Sequence, residues 1–281
     1  MSSEKAVREG TVRLLFCGDV VGQPGRNALY ATVKRARREL GVDFVVANGE
    51  NAAGGFGITP AICDEFFDAG VDVITTGNHI WDKREIIPYI EHERRLLRPH
   101  NFPAGTPGSG ARLFTSGSGD RVIVINVMLR LFMDPLDDPF QSVAQFLNGH
   151  RLSKSADAIL VDVHGEATSE KQALGNMLDG KVSAVVGSHT HVPTADGRVL
   201  PKGTGFQTDA GMCGDYDSVI GGDKEAWVRR FQSRMPVGRV QPPSGPGTAC
   251  GVLIEIERRT GLAHRIATVV QGPHLDERWP K

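Results

Sequence analysis

The stretch Val71-Asp72-Val73-Ile74-Thr75-Thr76-Gly77-Asn78-His79-Ile80-Trp81-Asp82 joins a short apolar run to a glycine and two chemically active side chains. The apolar part has the length of a buried strand. An amide, Asn78, and an imidazole, His79, follow Gly77 directly, and both groups can bind a metal or take part in proton transfer. We therefore expect a strand whose carboxyl end lies at a functional site, followed by a helix that Asp82 caps.

The first two-thirds of the chain alternates strands with helices. Buried strands are also predicted at 11–17, 43–47, 158–163 and 182–186, and amphipathic helices at 26–40, 60–69 and 168–178. Beyond Pro193 short strands dominate, with one helix at 224–232 and a closing hairpin at 251–269. This order predicts a single α/β domain over residues 1–281, built on a mixed sheet or two stacked sheets, with residues 1–10 as a flexible tail.

Composition and charge exclude several classes of protein. The 281 residues are 40% apolar and 23% charged, as in an ordinary globular protein. A net charge of -1 argues against a non-specific nucleic-acid binder or a membrane-surface protein. No run approaches the ~18 apolar residues of a membrane span. The N-terminus lacks the apolar core of a signal peptide, and the four cysteines show no CxxC spacing, so we expect reduced thiols in a cytoplasmic protein.

Each buried strand of the alternating part ends in side chains that can bind metal or move protons. The carboxyl ends of strands form the ligand sites of open α/β folds, so we expect these side chains to converge. Because thiolates are absent from these positions, a structural zinc site is disfavoured, whereas iron, manganese or zinc in a catalytic role suits the donors. The candidates are Asp19, Glu50, Asn51, Asn78, His79, His164, His189 and His191.

Eight candidate groups are too many for one ion but fit two. A carboxylate such as Glu50 can bridge two metals ~3.5–4 Å apart, the separation of two-metal hydrolases. The competing interpretation is a dinucleotide-binding loop at Gly18, Gly22 and Gly25. Its spacing is wrong, and Asp19 would place a carboxylate where the pyrophosphate should bind.

These residues resemble the calcineurin-like metallophosphoesterase superfamily. The resemblance lies in Gly18-Asp19, Gly77-Asn78-His79, His164 and the Gly-x-His-x-His block that ends at His191. Within the superfamily, the chain resembles the YmdB-type family of bacterial di-metal phosphodiesterases over nearly its whole length. Further matching blocks are Asn48-Gly49-Glu50-Asn51-Ala52-Ala53, Pro135-Leu136-Asp137-Asp138-Pro139-Phe140 and His164-Gly165-Glu166-Ala167-Thr168-Ser169-Glu170-Lys171.

Several positions depart from these patterns, among them Val21, Cys213, Asp215 and the pair Met128-Leu129. Val21 stands where the wider superfamily has the histidine of its D-x-H block, and Asn51 beside Glu50 takes the place of that histidine. Cys213 and Asp215 stand where the closer family has threonine and proline. We expect these two residues to flank the substrate loops and to affect specificity more than metal binding.

The resemblance implies a four-layer α/β/β/α sandwich. It also implies hydrolysis of cyclic nucleotides, with 2′,3′-cyclic AMP as the associated substrate, by in-line attack of a metal-bridging hydroxide. Two divalent transition metals are implied, iron first and manganese second. One ion would take Asp19, Glu50, Asn51 and His191, and the other would take Glu50, Asn78, His164 and His189.

His79 follows a ligand without being one, so it would donate the proton to the leaving oxygen. The alternative role for His79 is a hydrogen bond that supports a ligand. The expected partner is a small phosphodiester or cyclic nucleotide, with no membrane and no stable nucleic-acid complex. A homo-oligomer is left open.

Two other functions also stay open. A phosphomonoesterase or nuclease would use the same centre, and a non-catalytic, metal-bearing regulatory protein would bind a nucleotide without hydrolysing it. The second would have no need of an acid such as His79.

Overall fold

A computed structural model describes residues 10–235 and 238–281. The tail expected at residues 1–10 therefore lies outside the described residues, apart from Gly10. Within the described ranges the strands are β1 (Thr11–Cys17), β2 (Asp19–Val20), β3 (Phe44–Asn48), β4 (Val73–Thr75), β5 (Ala111–Thr115), β6 (Arg121–Met128), β7 (Ala158–His164), β8 (Ala184–Ser188), β9 (Arg198–Val199), β10 (Gly205–Gln207), β11 (Met212–Gly214), β12 (Thr248–Glu257) and β13 (Ala263–Gln271). The helices are α1 (Gly22–Glu39), α2 (Pro60–Asp68), α3 (Ile86–Ile90), α4 (Pro139–Asn148), α5 (Thr168–Leu178) and α6 (Lys224–Ser233).

The first sheet carries three of the strand ends predicted to form the site. Its order is β2-β11-β12-β1-β3-β4, and β13 pairs with β12. β1, β3 and β4 run parallel, with Cys17 opposite Ala47 and Asn48 opposite Thr75. Because neighbouring strands end at nearly the same level, the segments that follow them leave the sheet side by side.

The second sheet supplies the remaining strand ends. Its order is β5-β6-β7-β8-β10-β9, and β6, β7 and β8 are parallel. His164, the last residue of β7, lies opposite Ser188, the last residue of β8. The residues after β8 therefore start beside His164.

The period-two alternation of the strands separates the hydrophobic core into layers. Along β1, Leu14 and Phe16 belong to the core between the two sheets, whereas Leu15 and Cys17 belong to the core under α1 and α2. A third core packs the outer face of the second sheet against α4 and α5. The order helix, sheet, sheet, helix confirms the predicted four-layer α/β/β/α sandwich.

Two predicted helix starts were wrong. α1 begins at Gly22 rather than at residue 26, because Pro24 falls in the first turn, where a missing N–H costs little. Asp82 does not cap the next helix, since α3 begins only at Ile86. None of the described helices is long and apolar enough to cross a membrane.

Candidate metal centre

The carboxyl ends of both sheets meet at one site, and the predicted donors lie there. The first sheet contributes Asp19 after β1, Glu50 with Asn51 after β3, and Asn78 after β4. The second sheet contributes His164 at the end of β7, and His189 with His191 after β8. Asp19, Glu50, Asn51 and His164 are buried, so their polar atoms face one another rather than solvent.

His164 is the centre of one group of donors. Its Nε2 lies 3.2 Å from Glu50 Oε1, 3.0 Å from Asn78 Oδ1 and 3.2 Å from His189 Nδ1. The ligand atoms of Glu50, His164 and His189 all lie within 4.8 Å of one another. Two oxygens and two ring nitrogens thus converge, as expected around a divalent cation with mixed ligands.

Asp19 belongs to a second group beside the first. Asp19 Oδ1 lies 3.8 Å from His164 Nδ1 and 3.9 Å from His191 Nε2. His191 Nδ1 contacts the Ile220 carbonyl oxygen at 2.8 Å, which fixes the ring and leaves Nε2 for the site. Glu50 and Asn51 line the same pocket as His189 and His191.

Two observations show that the donors fit bound metal. Asp19 Oδ1 and Asn51 Oδ1 are buried without a hydrogen-bond partner among the described residues, which is costly unless another positive group satisfies them. A Cβ added to Gly77 would lie 2.2 Å from His164 Nε2 and 2.4 Å from Glu50 Oε2, so only glycine leaves the donors room at this position.

The electrostatics of the donor cluster also favour a cation. Burial raises the pKa of Asp19, and His191 and His164 offset part of that rise. Burial alone would lower the pKa of His164, but the charges of Glu50 and Asp19 outweigh it and hold that pKa above its usual value. Burial and then the charge of His164 lower the pKa of His189. The buried carboxylates therefore attract one positive charge, a role that a dication would fulfil more strongly.

The two histidines after β8 are held in an unusual backbone conformation. His189 has a φ of 98° and His191 a φ of 64°, both in the left-handed region. Non-glycine residues adopt this region at a cost, and residues under such strain cluster at functional sites. The His189 N–H donates to Asp19 Oδ2 at 2.9 Å, which links this strained turn to the end of β1.

His79 lies beside the donors without joining them. Its backbone N–H donates to Glu50 Oε2 at 3.1 Å, whereas its ring lines the pocket and is about 29% exposed. Ring Nδ1 lies 3.1 Å from Asp82 Oδ2, and the ring packs edge-on against Phe56. Because Asp82 occupies Nδ1, Nε2 is the ring nitrogen available to a ligand.

A comparison with known protein families assigns the chain. Residues 15–269 match the model of the family described as YmdB-like protein. The chain belongs to the YmdB-like family.

Relatives of this family share the sequence and the fold over most of their length. A 2′,3′-cyclic-nucleotide 2′-phosphodiesterase of Bacillus subtilis is 45% identical over 92% of this chain and 97% of its own. A hypothetical protein from Thermus thermophilus superposes with a TM-score of 0.85 at 42% identity, covering 92% of this chain and 99% of its own. A phosphatase from Mycoplasma pneumoniae superposes with a TM-score of 0.85 at 29% identity, covering 93% of each chain. The resemblance to the YmdB-type family and its metallophosphoesterase fold is therefore confirmed.

Two residues that depart from the YmdB-like pattern are buried in β11 and directly after it. Cys213 is fully buried in β11, where its thiol contacts the Cys250 carbonyl oxygen at 3.6 Å. Asp215 is also buried and accepts from the Asp217 N–H at 2.9 Å. Neither is among the described residues that line the pocket, but Ile220, which follows them in the chain, does line it. The expected effect of these two residues on specificity stays a prediction.

Sequence reasoning missed the polar residues behind the donors. Ser188 Oγ lies 2.9 Å from His164 Nδ1 and donates to Asp162 Oδ1 at 2.6 Å, and this contact aims His164 Nε2 at the other donors. Asp162 also accepts from Asn48 across the two sheets. The sequence does contain a signal for these residues, because Asp162 places a carboxylate inside the apolar run of β7. A buried charge needs polar partners.

Proposed function

We propose that this protein is a metal-dependent phosphodiesterase that hydrolyses cyclic nucleotides, with 2′,3′-cyclic AMP as the representative substrate. The observation that carries the proposal is the meeting of carboxylate, amide and imidazole donors from both sheets in a pocket that also contains His79. The 45% identity to a 2′,3′-cyclic-nucleotide 2′-phosphodiesterase supports the substrate class.

We assign the donors to two ions, iron or manganese. Asp19, Glu50, Asn51 and His191 would hold one ion, and Glu50, Asn78, His164 and His189 would hold the other. Two dications at such a site supply an activated water and neutralise phosphoryl oxygens. The neutral Asn78 and the histidines limit the negative charge of the donor set, so the site can still accept an anionic substrate.

His79 would protonate the leaving oxygen of the ester. Asp82 would hold its ring by Nδ1 and orient Nε2 toward that oxygen, the arrangement of an acid oriented by a carboxylate. General acid catalysis of this kind contributes about 10²–10⁴ in rate. The Glu50 carboxylate fixes the His79 backbone, so the acid and the metal donors keep a constant separation.

The name of the Bacillus subtilis relative indicates which ester bond would open. Cleavage of the 2′ ester of 2′,3′-cyclic AMP leaves 3′-AMP, whereas cleavage of the 3′ ester leaves 2′-AMP. We propose that this protein forms 3′-AMP. The four buried free cysteines support action in a reducing compartment, the cytoplasm.

Product analysis tests this proposal. Purified protein supplied with manganese or iron is expected to convert 2′,3′-cyclic AMP to 3′-AMP, identified by chromatography against both isomers. Release of phosphate from 3′-AMP should be slower, since a monoester lacks the second ester group. Faster turnover of monoesters than of diesters would support a phosphatase instead. Stoichiometric nucleotide binding without hydrolysis under either metal would support a regulatory protein.

A further inference from the structure

The pocket extends well beyond the donor cluster. Its volume is about 430 Å³, within the range of small-molecule sites. One end is formed by the buried Glu50 and Asn51, and the pocket also reaches the exposed Arg230 and Arg239. A cyclic phosphate alone would leave most of this space unfilled, so the outer part is available to the rest of a substrate.

Two pairs of aromatic and guanidinium groups line this outer part. The Arg230 guanidinium lies 5.1 Å from the centre of the Trp227 ring, and the Arg239 guanidinium lies 4.4 Å from that of Phe56. All four residues line the pocket. Such pairs stiffen the arginine side chains and present flat, polarisable surfaces.

Trp227 contributes little to the core of the domain. It lies on α6, a helix with no buried residue, and its ring is only half-buried. The ring packs against Phe231 at 5.6 Å and sits over Gly222, where an added Cβ would lie 2.5 Å from Nε1. A large aromatic ring on an exposed helix that lines a pocket is more typical of ligand binding than of core packing.

The charge of Arg230 has no carboxylate partner in the part of the chain that the structure describes. No carboxylate of the described residues lies within 4.0 Å of its side-chain nitrogens, whereas the neighbouring Arg229 lies 3.7 Å from Glu225. Within residues 10–235 and 238–281, Asp82 is the one carboxylate near Arg239, at 3.9 Å. Guanidinium planes of this kind stack on nucleobases as well as on protein rings.

We propose that Trp227, Phe56, Arg230 and Arg239 form a nucleobase subsite, in which the base binds by stacking while its phosphate lies at the metal donors. The inference rests on the proposed function, because it assumes that the phosphate is bound at those donors. Stacking strength follows ring area, so purine nucleotides bind more tightly than pyrimidine nucleotides. Because stacking involves the face of the base and not the hydrogen-bonding groups at its edge, adenine and guanine nucleotides bind with similar affinity.

Equilibrium binding tests the subsite without turnover. Isothermal titration calorimetry of the purified protein with 3′-AMP and with ribose 3-phosphate, which lacks the base, isolates the contribution of the base. The wild type is expected to bind 3′-AMP roughly 10- to 100-fold more tightly than ribose 3-phosphate, which is the gain in affinity from one stacked base. Trp227→Ala should remove most of this ratio. Val228→Ala, an exposed neighbour on the same helix, should preserve it.

If Trp227 had only a structural role, Trp227→Ala would weaken the binding of both ligands equally and leave the ratio of the two affinities unchanged. That result, or equal affinity of the wild type for the two ligands, would overturn the subsite. A further expectation is weaker binding of 3′-CMP than of 3′-AMP in the wild type alone. Base-dependent binding by a protein that hydrolyses no 2′,3′-cyclic AMP would contradict the proposed function and support the subsite.

Discussion

At the scale of single residues, the three consecutive residues Gly77-Asn78-His79 each have a different role. Asn78 Oδ1 joins the donor cluster, His79 faces the pocket beside it, and Gly77 leaves room for His164 and Glu50. The role of Gly77 differs from a simple turn residue. Its φ is not positive, so the absence of a side chain, rather than backbone freedom, explains the glycine.

Gly77→Ala should therefore damage the site and spare the fold. The new Cβ would press on His164 Nε2 and Glu50 Oε2 and displace both donors. Displacement of about 1 Å in a catalytic group costs on the order of 100-fold in rate. We expect at least that loss in turnover of 2′,3′-cyclic AMP, together with reduced metal content by elemental analysis.

Gly117→Ala provides the matched control, since a Cβ there would meet nothing within 4 Å. It should keep full metal content and turnover. Equal metal content and turnover in Gly77→Ala and Gly117→Ala would show that the close approach at residue 77 has no functional consequence.

At the scale of secondary-structure elements, a buried ion pair joins α5 to the segment after β10, and both of its residues contact the backbone at the end of β8. Lys171 Nζ donates to Asp209 Oδ2 and to the Ser188 carbonyl oxygen, both at 2.8 Å. Asp209 also accepts from the Thr190 N–H at 3.0 Å. The pair thereby holds the backbone on both sides of His189, where the left-handed conformation must be maintained.

Lys171→Met should lower the free energy of unfolding by about 3–5 kcal/mol, because it leaves the Asp209 carboxylate buried without a counter-charge. Urea denaturation followed by circular dichroism measures this change. The double variant Lys171→Met/Asp209→Asn should recover part of the loss, since no uncompensated charge is left.

Lys224→Met is the control for this substitution, because Lys224 pairs with Asp217 at the surface, where such a pair contributes little. Its unfolding transition should match that of the wild type. A Lys171→Met transition that also matched the wild type would show that the buried pair does not stabilise the turn at His189.

At the scale of the whole molecule, the site exists only because two sheets face each other. Asp19, Glu50 and Asn78 come from one sheet, and His164 and His189 from the other. The sequence predicts the convergence of these donors because each one lies at the carboxyl end of a strand. The carboxyl ends of neighbouring parallel strands lie at the same edge of a sheet. The four-layer order follows from the same alternation of apolar residues.

The parts that could not be predicted depend on packing between distant segments. The sequence predicts Asp82, three residues after His79, as a helix cap, because sequence spacing does not show that α3 begins only at Ile86. Trp227 and Phe56 line one pocket because of where α6 packs, and no local sequence pattern encodes that position. The support of His164 by Ser188 and Asp162 likewise requires the register of β7 against β8.

The most direct test measures metal content and turnover together in the wild type and in His79→Asn. Elemental analysis of the purified wild type is expected to find about two transition-metal ions per chain. His79→Asn should retain that content and lose about 10²–10⁴ in turnover of 2′,3′-cyclic AMP, because it removes the proposed acid and keeps the proposed metal donors. An active wild type without transition metal, or full turnover in His79→Asn, would contradict the division of this site into metal donors and a separate acid.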